Sequence, residues 1–157
     1  MNIVGSVRMI ANEVDNEYIN TASRVGTWRW AVDWTAGGAK SNVYTYYFDH
    51  APAENRNEGT YHGSEIWYTF NNIPYADYSN VTWTEYDLVV EEKMTNYWAN
   101  FIRSGNPNGN SQAKFKPSTK ASHETMWLGN SWGMGPISMD ERRIKFLHKC
   151  TSTLPEW

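Results

Sequence analysis

At 157 residues, the chain is long enough for one ordinary domain, which buries about two-thirds of its unfolded surface. Hydrophobic residues at 40% against 20% charged exclude wholesale disorder, and the 14 basic and 17 acidic residues (net charge −3) form no dense cationic cluster of the kind that neutralises nucleic-acid phosphates. No apolar run approaches the roughly 20 residues that a membrane-spanning helix requires.

In chain order, Met1-Asn2-Ile3-Val4-Gly5-Ser6-Val7-Arg8 lacks the basic region and long apolar stretch of a secretory signal, which leaves the compartment open. A first helix is predicted over residues 20–35. Asn20 is placed to cap it, Val25, Trp28 and Val32 recur at helical spacing, and Gly37-Gly38 ends it. Trp30 and Trp34 add a second apolar stripe, so burial on more than one side is expected. Residues 43–48, Val-Tyr-Thr-Tyr-Tyr-Phe, are β-branched and aromatic with almost no polar alternation, as in a parallel strand covered on both faces. Nothing before them offers a strand of equal quality to pair with.

A polar loop is expected over residues 49–61, opening Asp49-His50-Ala51-Pro52. Residues 64–70 carry strand-like composition, but Ile66 and Phe70 stand one helical turn apart behind Ser64 as a cap, which favours a short helix. The clearest element is a helix over residues 84–103. Thr84 and Asp87 make a capping-box variant, Val90, Met94, Tyr97, Trp98 and Phe101 make one apolar face, and Gly105 then Pro107 stop it. Residues 106–136 read as loop. A last helix over residues 140–149 carries acidic residues in its first turn and Lys149 in its last, which suits the helix macrodipole.

Nine Trp, ten Tyr and five Phe suit either a core of large rings or a surface that stacks on sugars. Cys150 is the only cysteine, so neither an internal disulfide nor a cysteine-based metal site is available. Asn80-Val81-Thr82 is a glycosylation sequon, with meaning only in a secreted protein.

The run 43–52 with Tyr61-His62-Gly63-Ser64-Glu65-Ile66 and Phe70-Asn71-Asn72-Ile73 resembles the C-terminal region of the type-B carboxylesterases, the carboxylesterase/cholinesterase family. So do Tyr97-Trp98-Ala99-Asn100-Phe101 with Ser104-Gly105-Asn106-Pro107-Asn108-Gly109, and Met126-Trp127-Leu128-Gly129. The pieces follow the family's order and cover the chain from about Ser23 onward.

The resemblance implies an α/β fold in which residues 1–157 form the C-terminal segment of a single α/β-hydrolase domain: the last sheet strand, the catalytic-histidine loop and the closing helices. It implies a carboxylic ester hydrolase of the Ser-acid-His type with no cofactor and no metal. His62 would be the catalytic histidine, an imidazole that takes the serine proton during acylation and returns it to the leaving alcohol. Glu65 resembles a glutamate that supports a hydrogen-bonded water network near that histidine; a solvated carboxylate at a helix start is the other reading. Ser64 is expected to cap the local turn rather than touch substrate.

The expected partners are a small-molecule carboxylic ester and the N-terminal part of the same domain, since nucleophile, acid and glycine-rich oxyanion loop have no matching positions here. That triad runs Ser, acid, His along the chain. His62-x-x-Glu65, with His50, His123 and His148, forms no zinc or facial-triad signature. Gly129-Asn130-Ser131-Trp132-Gly133 satisfies G-x-S-x-G, but it follows His62 and is expected on a loop, so it is read as a chance match. Two alternatives stay open: a catalytically silent cholinesterase-like adhesion or carbohydrate-binding protein, and a truncated product without activity.

Overall fold

The computed structural model describes residues 3–52, 59–76, 81–109 and 112–153; Asn80 of the sequon lies outside them. Two compact units form, one from Met1–Thr45, Ser118–Thr125 and Pro136–Trp157, the other from Tyr46–Pro117 and Met126–Gly135.

In the first unit, helix α1 spans Ile3–Ala36. It begins well before residue 20, so Asn20 lies inside it and caps nothing: a capping side chain permits a start but does not impose one where the preceding residues also accept helical geometry. Its end is where the glycines stand. Gly37 N–H reaches Asp33 O at 2.8 Å, and Gly38 takes the left-handed conformation, φ +98°. Val25 and Trp28 face inward against Ile137, Ile144 and Leu147, with Val32 packed beside them. Each fully buried aliphatic side chain contributes about 1.5–3 kcal/mol. The Trp28 indole N–H donates to Ser122 O at 2.8 Å, and Arg24 Nε donates to Ile137 O at 3.0 Å, so neither polar group is stranded.

Trp30 and Trp34 overturn the expectation of a second buried stripe: they are 57% and 50% exposed and stack on each other with centroids 5.7 Å apart. The i,i+4 spacing brings them together, while the residues that cover α1 in this unit lie against the Val25–Trp28 face. Helix α4, Glu141–Ser152, matches the expected last helix, with Ile144 and Leu147 inward.

In the second unit, strand β1 is shorter than expected, Tyr46–Phe48. Val43 and Thr45 are engaged elsewhere: Val43 O accepts from Ser118 N at 2.8 Å, and Thr45 Oγ1 accepts from Thr125 Oγ1 at 3.0 Å. The strand is parallel, as its composition suggested, but not covered on both faces, because Tyr46 is 37% exposed. Its partner comes from the stretch read as loop. Strands β2, Glu124–Leu128, and β3, Gly133–Pro136, complete a sheet of order β1-β2-β3, with Tyr46 opposite Met126 and Phe48 opposite Leu128. The link between β2 and β3 is too short for a parallel crossover, so these two run antiparallel.

Helix α2, Ile66–Thr69, is the expected short helix, and a 3₁₀ turn follows at Ile73–Tyr75. Helix α3, Glu85–Ser104, carries the capping box: Thr84 Oγ1 accepts from Asp87 N and the Asp87 carboxylate accepts from Thr84 N. Gly105, φ +70°, closes its other end. Val90, Met94 and Tyr97 are buried, whereas Phe101 at the end of the same stripe is 46% exposed. Buried Glu91 is held by Ile73 N–H at 2.8 Å, and burial pushes the Tyr97 phenol, which donates to Ala113 O, up to about 12.

Candidate functional site

His62, Ser64 and Glu65 share one turn, residues 62–65, in the second unit. Gly63 makes that turn possible: its φ of +88° is one that a side chain resists, and it lets Ser64 N reach Tyr61 O at 3.0 Å and Ile66 N reach Gly63 O at 3.2 Å. His62 projects from the turn exposed, and among the described residues its ring makes no hydrogen bond or ion pair. An imidazole so placed is accessible to groups brought to it.

Ser64 does not cap α2. The N-cap is Glu65, in helical conformation and without a side-chain capping bond, and the Ser64 hydroxyl is buried with no partner among the described residues. One residue separates the expected cap from the real helix boundary, which turns the serine inward. Glu65 is half-buried, and its carboxylate accepts from Tyr46 OH at 3.4 Å. Burial first, and the Glu65 charge second, push that phenol up to about 12. Glu65 is thus not a bare solvated carboxylate, and its hydrogen bond goes to Tyr46 rather than to His62.

A second cluster escaped sequence reasoning. A cavity of about 550 Å³ is lined by Asp49, His50, Thr60, Tyr86, Asp87 and Asn130, among others. His50, 6% exposed, places Nε2 at 2.8 Å from Asp87 Oδ1 and Nδ1 at 2.8 Å from Asn130 Oδ1. Asp87, 1% exposed, also accepts from Tyr68 OH at 2.9 Å and from Thr84 Oγ1 at 2.6 Å. Its burial pulls the carboxyl upward, but the hydrogen bonds from Thr84, His50 and Tyr68 together outweigh that and hold it below the usual carboxylate range. Burial and the same carboxylate drive the Tyr68 phenol upward. Asp87 was legible only as a helix cap; no periodicity links it to His50, 37 positions away.

Ser131 sits exposed in the tight turn between β2 and β3. A nucleophile elbow requires a helix after the serine, and a strand follows here. Both glycines of the motif have local reasons. Gly129, φ +128°, passes so close to β1's exit that a Cβ there would stand 2.7 Å from His50 Cβ, and Gly133 has φ +135°. Ser131 N–H is bound to Asp49 Oδ1 at 3.2 Å. Ser131→Ala is therefore expected to leave ester hydrolysis by an active polypeptide within about two- to threefold, since surface substitutions shift stability by under ~0.5 kcal/mol. Mapping the adduct of a fluorophosphonate probe checks this, and an adduct on Ser131 would overturn it.

Among the described residues, no three His, Cys, Asp or Glu side chains converge as metal ligands, and no helix is long and apolar enough to cross a membrane.

Comparison with known proteins gives a match to the model of the "Carboxylesterase family" over residues 9–145, which begins earlier than the resemblance read from about Ser23. Among individual relatives, human cocaine esterase is 36% identical over 76 residues, 45% of this chain and 13% of the relative. The acetylcholinesterase of Electrophorus electricus is 38% identical over 78 residues, 48% of this chain and 12% of the relative. Rabbit (Oryctolagus cuniculus) cocaine esterase is 29% identical over 119 residues, 73% of this chain and 21% of the relative. The matched stretches are thus a small part of each relative's length.

Proposed function

The chain belongs to the carboxylesterase family, whose fold is the α/β-hydrolase fold and whose members are ester hydrolases, and on that footing we propose that it supplies the catalytic histidine, His62, of a serine carboxylesterase. The observation that carries this reading is the turn 62–65: a glycine-hinged loop after β1 that presents an exposed imidazole with no partner among the described residues. In the proposed chemistry His62 takes the proton of a serine hydroxyl as it attacks the ester carbonyl. It returns that proton to the departing alcohol, then activates water to release the acid. The Tyr46–Glu65 pair flanks this turn and would steady the water and protons around His62.

The substrate is a small-molecule carboxylic ester. The serine, the acid and the oxyanion donors stand on polypeptide outside these 157 residues, which form the C-terminal segment of one α/β-hydrolase domain with β1 as the last catalytic strand. In support, the resemblance places no nucleophile or acid among the residues here, and several large apolar side chains of the second unit face outward, Phe70 at 65% and Ile102 at 79% exposure among them.

The isolated 157-residue chain is therefore expected to show no hydrolysis of a short-chain nitrophenyl ester above blank, and to associate or bind a hydrophobic dye strongly. Supplying the remainder of the domain should restore solubility and turnover. A cooperatively melting monomer that hydrolyses esters unaided would sink the reading.

A further inference from the structure

We propose that His50 is held with a proton on each ring nitrogen, as a buried imidazolium, and that this charge makes a proton-dependent latch joining the end of β1, the first turn of α3 and the β2–β3 turn. The proposal stands independently of the esterase reading, because it uses none of residues 62–65.

The argument is one of donors and acceptors. Neutral imidazole carries one N–H and one lone pair; only the imidazolium donates from both nitrogens. At Nδ1 the neighbour is Asn130 Oδ1, 2.8 Å away. That this atom is oxygen follows from the other side of the amide, where Asn130 Nδ2 donates to the Asp49 carbonyl at 2.6 Å. Turning the amide over would set two oxygens against each other at that distance. At Nε2 the neighbour is Asp87 Oδ1, also 2.8 Å away. The Asp87 oxygens already accept from Tyr68 OH, Thr84 N and Thr84 Oγ1, and the resulting preference for the ionised carboxylate leaves it an acceptor toward His50 as well. Both ring nitrogens therefore face acceptors, and a neutral ring would set a lone pair against an oxygen on one side or the other.

The electrostatic surroundings agree. From α3, His50 is faced by the Asp87 carboxylate and, at 5.4 Å between rings, by Tyr86; from α2, by Tyr68 at 5.5 Å. The β2–β3 turn contributes the neutral Asn130, and the adjacent Asp49 carboxylate is occupied by the N–H groups of Asn130 and Ser131. Among the described residues these neighbours are neutral or negative, so the buried cation is matched by Asp87 and repelled by none of them. Tyr86 OH donates to Gly129 O at 2.7 Å, which ties the α3 and β2–β3 ends of the same junction.

The latch has an acid limit: as pH falls, protonation of Asp87 removes the acceptor at Nε2.

The test is ¹⁵N NMR, at neutral pH, of a histidine-labelled polypeptide that carries the whole catalytic domain. The His50 signal is assigned by elimination, replacing the other histidines one at a time, so that His50 itself stays intact. Two protonated ring nitrogens are expected at His50, and a single-proton tautomer would overturn the proposal. Amide hydrogen exchange supplies the second readout. At one fixed pH, Asp87→Asn should speed exchange at Asn130 N–H and Ser131 N–H by at least tenfold over the parent. Unchanged exchange at both amides in that variant would show that no latch is present. Asp87→Asn, which removes the charge but keeps the shape, should return His50 to one proton; retention of both in that variant also counts against the idea.

Discussion

His62→Ala, introduced into a polypeptide that carries the whole catalytic domain, is expected to lower ester turnover by roughly four to six orders of magnitude and to leave the circular dichroism spectrum unchanged. The size follows from the behaviour of triad residues, which act as a unit, so that losing the base costs nearly as much as losing the whole set. The unchanged fold follows from position. His62 is exposed, makes no side-chain bond among the described residues, and stands in a turn whose geometry is set by Gly63 and by backbone bonds at Ser64 and Ile66. Removing the imidazole thus deletes chemistry without opening a cavity. The measurement is hydrolysis of a short-chain nitrophenyl ester by both proteins. A loss of less than tenfold with a native-like spectrum would show that His62 is not the base.

The largest effect on stability is expected at Asp87. Asp87→Ala removes the reciprocal half of the α3 capping box and leaves His50, Tyr68 and Thr84 without their shared acceptor. Leaving a buried hydrogen-bonding group without its partner costs about 1–3 kcal/mol, and the lost cap adds about 1 kcal/mol of helix stability. Its pH dependence has a definite sign. The folded carboxyl titrates below its unfolded value, near 3.9 for a free Asp, so its stabilisation is fully present above that value and is lost as pH falls through the folded one. Urea unfolding midpoints as a function of pH, in a polypeptide that unfolds reversibly, should show an acid limb that the variant lacks. A change of under ~1 kcal/mol, or an identical acid limb, would mean that the cluster contributes little.

These two residues also mark what could be read without a structure. The helix over residues 85–104 was legible from end to end, because a capping box, an apolar stripe and a terminal glycine are all interactions within one turn. The His62 turn was legible for the same reason: glycine next to histidine is a local statement about φ. Where local signals misled, they did so by permitting more than one outcome. Asn20 could cap a helix but lies within α1, and Ser64 could cap α2 but stands one residue too early.

By itself, then, the sequence determined the family, the strand-then-loop-then-histidine order and the helix that follows, since each rests on neighbours a few positions apart. Only the tertiary structure decided which strand pairs with β1, that Trp30 and Trp34 face outward, and why Gly129 must be glycine. It alone joined His50, Asp87 and Asn130. Those contacts connect positions 37 and 80 apart, and no spacing or period in a chain encodes a meeting across such distances; it is set by where the whole fold brings the backbone.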